Sequence, residues 1–551
     1  MLLALKKIIS LLTAYLFFFQ VLSLPAMGAS PHCPGSRQEP VPAYPLAQKD
    51  ANQQKCDALA EAPGEPNNSG QGVAIDQINT SEAHAVCYQA ANGQAWRARY
   101  QFIFGRVLEA ENNWADAAKW YEAAGDNGFT DAYVSLGALY SRSQPANYDQ
   151  AAAWFQKAVA HNSPTGALML GWLYQTGQGV QRNPGEAARL YVEAGNAGIA
   201  DAAYRVGLMC EDGDGVQKDP FVAAKWFYEA AKRGHAYAQE ELGYLFYSGS
   251  GVKKDARAAY SWFYPAAQAG LSRSQTAVAI ELDRGEIVQK DEVQAVAWYA
   301  KAAEQGEVYA MYQLGGHYRQ GSGVAWSETE AAKWFRKAAD QGSALAQSAL
   351  GYGYMYGLGK DVGQGTQDYS QAIYWLTKAA QQGEPYAEVN LGWMYENGWG
   401  VERNLEQAHQ LYLAASRSDN PNVASFAKKF ADGMSAYSSS GSGQESAQSS
   451  SKTPGWVAPV LVTVGVLALF SALSGGHGSG SGSSGSSSGG SYPSQSFPDT
   501  GSGWGGSSTP EVHVPNCRQV PVENAFGTQN GDCLASGSNC GYSGATTIQC
   551  D

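Results

Sequence analysis

The chain has 551 residues, enough for several domains, and 44% of them are hydrophobic, which permits a sizeable core. A formal net charge of −13 and the absence of any long basic run speak against a nucleic-acid partner, because phosphate contacts need clustered Lys and Arg. Tyr (32 copies) and Trp (15 copies) are abundant, so aromatic packing or aromatic binding surfaces are expected.

Residues 1–29 have the layout of a secretory signal peptide. Lys6 and Lys7 precede an apolar run from Ile8 to Leu24, and small residues follow to Ala29, so cleavage after Gly28 or Ala29 is expected, with an uncleaved anchor as the alternative. Residues 30–90 are rich in Pro, Gln, Asn and Gly with little periodic apolar content, which predicts a mostly disordered segment. Export also sets the reading of the eight cysteines. Cys33, Cys56 and Cys87 precede the central region, and Cys517, Cys533, Cys540 and Cys550 crowd the C-terminal end as candidate disulfide partners with three connectivities open. Cys210 stands alone and reads as a small buried apolar residue.

Residues 91–433 repeat. Trp226, Trp262, Trp298 and Trp334 are 36 residues apart, and so are Gly198, Gly234, Gly270, Gly306 and Gly342. Gly171, Gly207 and Gly243 keep the same step, Ala279 takes the next slot, and Gly315 and Gly351 resume it. A five-residue insertion between Lys360 and Ser370 moves the later landmarks to Trp375, Gly383 and Gly392. Within one unit, Ala310, Leu314, Gly315 and Tyr318 share one helical face, Gly321-Ser322-Gly323-Val324 breaks the helix, and Ala331, Ala332, Trp334, Phe335, Ala338 and Ala339 form the stripe of a second helix. A glycine in mid-helix costs about 1 kcal/mol relative to alanine. Its return at Gly315 and its counterparts predicts a close approach of the two helices, with the Trp or Leu of the second lying over the missing side chain. One unit cannot bury its stripe alone, so neighbouring units must stack.

These residues resemble the Sel-one-like repeat family, a relative of the tetratricopeptide repeats. The pattern is Ala-x-x-x-Leu-Gly-x-x-Tyr, Gly-x-Gly-Val, Lys-Ala-x-x-Trp-Tyr/Phe-x-x-Ala-Ala and Gly, matched closely by Ala223–Ala231 and Ala331–Ala339. The resemblance covers about 325 residues in nine units, and it implies an all-α, right-handed superhelical solenoid of about nine helix-turn-helix repeats. The unit from Asp131 has Ser141-Arg142-Ser143-Gln144 in place of the glycine loop, and the unit around Ala279 lacks the helix glycine and carries Glu281 and Asp283. The first and last units are degenerate, as end caps are, and Ala424–Phe430 adds a closing half-helix. The resemblance implies a scaffold or adaptor that binds protein partners and does not name one.

If the array curves as its relatives do, the first helix of each unit lines the concave face. The residue two beyond the helix leucine, and the one five before it, then project there. Those slots give Trp172, Tyr237, Tyr244, Tyr309, Tyr352, Tyr386 and Trp393, an aromatic ladder able to hold an extended peptide or stack on sugar rings. Packing between neighbouring repeats is the competing role for the same rings. No metal, cofactor or catalytic site is expected. Asp212-Gly213-Asp214-Gly215 fails the EF-hand pattern, Gly249-Ser250-Gly251 has no strand before it, and His84, His161, His235, His317 and His409 show no ligand spacing, with His317 expected on an exposed helix side.

Residues 434–455 read as a Ser-rich linker, 456–473 as a transmembrane helix of about 18 apolar residues, 474–515 as a Gly/Ser-rich linker and 516–551 as a small cysteine-containing tail. A signal peptide followed by one spanning helix would put this tail in a reducing compartment. Lys428, Lys429 and Lys452 lie before the apolar segment and no cation follows until Arg518, which opposes that orientation. The expectation is a non-catalytic membrane-anchored scaffold with its repeats outside the cytoplasm, in a bacterial periplasm, binding protein partners. The alternative is a polysaccharide-binding component of an envelope exopolysaccharide export system.

Overall fold

The computed structural model describes residues 49–62, 72–93, 96–358, 366–440, 517–521 and 546–550. The expected signal peptide, the first linker from residue 441 on, the 456–473 apolar segment, the 474–515 linker, Cys33, Cys533 and Cys540 lie outside the described residues. Among the described residues no helix is long and apolar enough to cross a membrane.

Nine antiparallel helix pairs follow one another in chain order. They are α3–α4 (Arg97–Ala110, Trp114–Asp126), α5–α6 (Asp131–Arg142, Tyr148–Ala160), α7–α8 (Pro164–Thr176, Pro184–Asn196), α9–α10 (Ala200–Asp212, Pro220–Ala231), α11–α12 (Ala236–Ser248, Ala256–Gln268), α13–α14 (Ser272–Arg284, Glu292–Glu304), α15–α16 (Val308–Gln320, Glu328–Asp340), α17–α18 (Ala344–Tyr356, Tyr369–Ala380) and α19–α20 (Pro385–Asn397, Leu405–Ala415). Two helices, α1 (Ala51–Ala60) and α2 (Thr80–Asn92), precede the pairs, and α21 (Pro421–Ser440) closes them. The array forms two compact units, one running to Ala238 together with Ser250–Val252, the other starting at Gln239.

Local chemistry sets the period. The second helix of each pair begins at an Asn, Asp or Ser whose side chain accepts a backbone N–H of the first turn, as at Asn183, Asp219, Asp255, Asp291, Ser327 and Asn404. The glycine loop ends the first helix. Gly321 closes α15 in the left-handed region, and Gly323, also left-handed, lies so near the first turn of α14 that a Cβ would run into the Glu292 carbonyl.

The helix glycines mark close approaches, as expected, and Leu376 over Gly351 is the expected leucine, but elsewhere the covering side chain is not the tryptophan. The covering ring belongs to the residue after the tryptophan: Phe227 over Gly207, Phe263 over Gly243 and Phe335 over Gly315, with Leu376 over Gly351. The tryptophans turn away and carry a lysine one helical turn later, Lys301 on Trp298 at 4.3 Å and Lys337 on Trp334 at 3.9 Å. The 100° step between neighbouring helical positions separates these two roles.

Two further expectations change at the ends. Much of the segment read as disordered is folded: α1 and α2 are joined by a Cys56–Cys87 disulfide with Cα atoms 5.0 Å apart. Bridging residues 31 apart removes unfolded-chain entropy worth about 3–4 kcal/mol. Cys56, Ala60 and Cys87 share a core with Tyr100, Ile103 and Val107 of α3, so the segment caps the array. At the other end α21 is a long helix that enters the residues read as linker, its Val423, Ala427 and Ala431 covering Tyr412 and Ala415 of α20. The array is all-α, as expected, and the two strands lie outside it. Strands β1 (Cys517–Pro521) and β2 (Thr546–Cys550) pair antiparallel, and Val520, Thr546, Thr547 and Ile548 are β-branched residues suited to strands.

Candidate functional site

The seven candidate aromatics divide by exposure. Trp172 (4% exposed, on α7) and Tyr352 (6%, on α17) are buried. The rings of Tyr148 and Tyr356 stand beside them at 6.4 and 4.6 Å. Tyr237 is 51% exposed, and Tyr244, Tyr309, Tyr386 and Trp393 are half-buried. Five of the seven therefore reach solvent, one in the first unit and four in the second.

In the first unit Tyr237 lies beside a polar cluster. His235 stacks on Tyr204 at 4.5 Å and accepts the Ala238 N–H at Nδ1, which leaves its Nε2–H facing Asp201 at 3.7 Å. Burial works against the Asp201 carboxylate, but hydrogen bonds from His235 and Arg205 outweigh it and hold the carboxyl below the ordinary range.

In the second unit Tyr244 carries a cation on its face. The Arg273 guanidinium lies 4.5 Å from the ring centroid and 3.6 Å from the Glu240 carboxylate. Glu240 in turn accepts the Ser274 N–H at 3.1 Å and the Ser274 hydroxyl at 2.6 Å, which fixes α13 against α11. Burial pushes the Tyr244 hydroxyl up to about 12, and it also raises Tyr309 and Tyr386, so all three remain protonated donors at neutral pH. The Tyr309 oxygen accepts from Gln313 at 2.8 Å and the Tyr386 oxygen from Asn420 at 3.2 Å. Trp393 packs 4.9 Å from Trp399, itself stacked on Tyr369 at 5.6 Å. The result is a row of rings whose polar edges are oriented by neighbouring side chains, suited to apolar contact with a few directed hydrogen bonds.

The sequence slots miss Arg273. It occupies the same register as Tyr237 and Tyr309, 36 residues from each, and a charged residue there was not read as part of an aromatic row. Glu240 and Glu307 are likewise absent from the sequence expectation; burial raises Glu307.

The remaining motifs have packing roles. His317 is 7% exposed, which corrects the expectation of an exposed side chain: its Nδ1–H donates to the Ser322 carbonyl at 3.0 Å and its Nε2 faces Asp283 at 3.6 Å. Asp214 of the acidic glycine loop is taken by Arg182 at 3.0 Å. Cys210 is fully buried, and burial pushes its thiol up to about 11. Among the described residues no group of His, Cys, Asp and Glu is arranged to hold a metal ion.

The irregular unit gives a stability prediction. Glu281 is 9% exposed at the register occupied by Leu173, Met209 and Leu245 in other units, and desolvation raises its pKa above the ordinary value. A carboxyl with a raised folded pKa opposes folding when ionised, and this penalty fades as pH falls through the folded value and below the unfolded one. Glu281→Leu is expected to stabilise the array by about 1 kcal/mol at neutral pH. The gain should shrink on acidification toward the unfolded value of 4.5. Denaturant melts at several pH values check this; a pH-independent gain would refute the electrostatic cause.

Fold and surface define a tandem helical-repeat protein whose recurring unit is a glycine-terminated helix pair. The Sel1 repeat family model matches eight such units, at residues 130–163, 164–199, 200–235, 236–271, 272–307, 308–343, 344–384 and 385–420. The chain belongs to the Sel1 repeat family. The α3–α4 pair lies before the matched units as a ninth. A 90-residue stretch is 32% identical to DAP3-binding cell death enhancer 1 of Rattus norvegicus and of Mus musculus, covering 16% of this chain. That stretch spans only 18% of the length of these curated relatives. Among solved structures, a protective antigen of uropathogenic Escherichia coli with an SLR fold is 25% identical, with 68% of this chain and 94% of that one covered and a TM-score of 0.48. A Sel1 repeat protein from Oxalobacter formigenes is 30% identical, with 45% and 99% covered and a TM-score of 0.40. A Sel1 repeat array is a protein-interaction scaffold by type.

Proposed function

We propose that the chain is a non-catalytic scaffold of a bacterial cell envelope, exported, held at the membrane, and recruiting a protein partner through the first helices of its repeats. The observation that carries this reading is the row of solvent-reaching rings Tyr244, Tyr309, Tyr386 and Trp393 on a stacked array of the Sel1 family. Tyr and Trp supply large contact area at low side-chain entropy cost and concentrate binding energy at protein interfaces. The rodent relatives are named for binding a protein, which agrees with a protein partner. The Cys56–Cys87 disulfide fits an oxidising compartment, and so supports export.

Affinity capture with crosslinking from native membranes tests this. Tyr309→Ala combined with Trp393→Ala is expected to lower capture of the principal partner about tenfold or more. The melting transition should move little, because both rings reach solvent. Trp172→Ala serves as the contrast: its ring is buried, so its melt should fall. Unchanged capture by the double variant would sink the reading. Capture of an acidic or neutral polysaccharide in place of a protein would transfer the same surface to the glycan-binding alternative.

A further inference from the structure

The irregular repeat leaves one hydroxyl unmet. Four of the side chains in the covering position are tyrosines: Tyr121, Tyr191 and Tyr412 over Gly105, Gly171 and Gly392, and Tyr299 in the register of Ala279. In the first three the hydroxyl donates to the residue four beyond the glycine slot, to Glu109 at 2.7 Å, Gln175 at 2.9 Å and Glu396 at 2.9 Å. The same position after Ala279 is Asp283, one methylene shorter than glutamate, and its carboxylate faces His317 at 3.6 Å instead. Tyr299 is fully buried, yet its hydroxyl has no hydrogen-bond partner. An unmet buried hydroxyl costs folding free energy, so it calls for a reason.

The surroundings say what would meet it. Tyr309, a ring of the candidate row, accepts from Gln313 at 2.8 Å, and this contact leaves its own proton undirected. The Gln313 amide stands near both hydroxyls but is given to Tyr309. Burial raises both phenols, so each remains a donor at neutral pH. The charge of Arg284 acts on both as well, opposing that of Asp283. The Arg284 side chain is 44% exposed and meets Glu281 only at 4.0 Å, beyond hydrogen-bond reach. Two phenol protons and a guanidinium with donors to spare therefore share one place on the surface of α13–α15. An acceptor carrying negative charge satisfies all three, whereas an ammonium or guanidinium would meet Arg284 as a like charge.

We propose that Arg284, Tyr299 and Tyr309 form a carboxylate-binding site that receives an aspartate or glutamate side chain of the protein partner. This rests on the scaffold reading above and names the chemistry of the partner at one point of the row. The two hydroxyls donate to the carboxylate oxygens and Arg284 neutralises the charge, while Asp283 keeps to His317. The Tyr299 hydroxyl lies beneath the surface, so the half-buried Tyr309 turns aside as the carboxylate enters.

The test equilibrates the purified full chain with acetylated, amidated heptapeptide libraries, randomised except for a central Glu, Gln or Lys, and quantifies the bound peptide. The Glu library is expected to be retained about tenfold over the Gln library, with the Lys library retained least. R284M and Y299F should each bring the Glu preference close to one. D283E should do the same, because a glutamate in this slot reaches the hydroxyl, as Glu109 and Glu396 do. Melting separates binding from folding. Y191F and Y412F each lose a hydrogen bond and should melt lower than the parent, whereas Y299F should not. Equal retention of the Glu and Gln libraries overturns the proposal, as does a preference for Lys or a Glu preference that survives R284M and Y299F. A Y299F melt as low as that of Y191F overturns it too, since the hydroxyl would then already have a partner. Capture of the principal partner is measured separately, so an absent Glu preference with intact capture removes this site and leaves the scaffold reading standing.

Discussion

Arg99→Ala is expected to destabilise the N-terminal part of the array by about 3 kcal/mol, because it takes the guanidinium from the buried Glu61 carboxylate and leaves the part-buried Asp57 with Lys49 alone as a cation. Arg99 has a side chain 7% exposed and donates to Asp57 at 2.5 Å and to Glu61, from the first turn of α3 into the last turn of α1 and the residue after it. Asp57 also receives Lys49 at 2.7 Å and the Tyr100 hydroxyl at 3.1 Å. Arg106, two turns further along the same face of α3, donates to the Ala60 and Val73 carbonyls at 2.5 Å each. These two arginines fasten the cap to the repeats, and the disulfide alone cannot replace them, since it joins α1 to α2 and not to α3. Hydrogen exchange of the full chain is the suitable measurement. Protection should fall across residues 51–110 while the later pairs keep theirs, because a repeat array opens locally. Arg99→Met combined with Asp57→Asn and Glu61→Gln should recover much of the loss, as no buried charge then lacks a partner. Undiminished protection in the single variant would show that the pair carries no net stability.

The cap also marks where sequence reading fails. Its anchoring pairs span 33 to 46 residues and follow no helical or strand period, so local patterning carries no trace of them. A composition rich in Pro, Gln and Asn then suggests disorder, although α1 has a complete capping box at Asp50 and Gln53. The nine pairs were legible for the opposite reason. Each landmark glycine, capping residue and ring serves a local geometric need, and the need returns every 36 residues. The position of the candidate surface was readable at the same resolution. Its exposure was not, because a ring two beyond the helix leucine is open or covered according to residues elsewhere: Tyr148 stands beside Trp172, and Tyr356 beside Tyr352. Arg273 shows the reverse case, a residue whose slot was known and whose role emerged only from its lying on Tyr244.

Gly207→Ala should be the most informative single change within the repeats, since its two physical effects oppose each other. Alanine gains about 1 kcal/mol of helix propensity over glycine. A Cβ at this site would stand 2.5 Å from the Phe227 ring edge, with two more ring carbons at 2.6 and 3.0 Å. Phe227 is fully buried, so its ring cannot retreat into solvent and neighbouring side chains must shift with it. Overpacking of this kind costs about 1–3 kcal/mol, and at contacts this short the upper part of the range applies. The net expectation is a loss of about 2 kcal/mol, or roughly 4–8 °C in the melting of a unit of this size. Gly207→Leu should lose more. Ala279 supplies the control from within the same chain: its unit already tolerates a Cβ in this slot, so Ala279→Gly should cost only the propensity difference of about 1 kcal/mol. Phe227→Leu in the Gly207→Ala background should return part of the lost stability, whereas alone it should destabilise by leaving a cavity. That sign reversal between backgrounds is what a ring pressed on a bare helix backbone requires. A Gly207→Ala protein that melts higher than the parent would show that the rings do not set the spacing of the helix pairs, and the recurrence of glycine every 36 residues would need another cause.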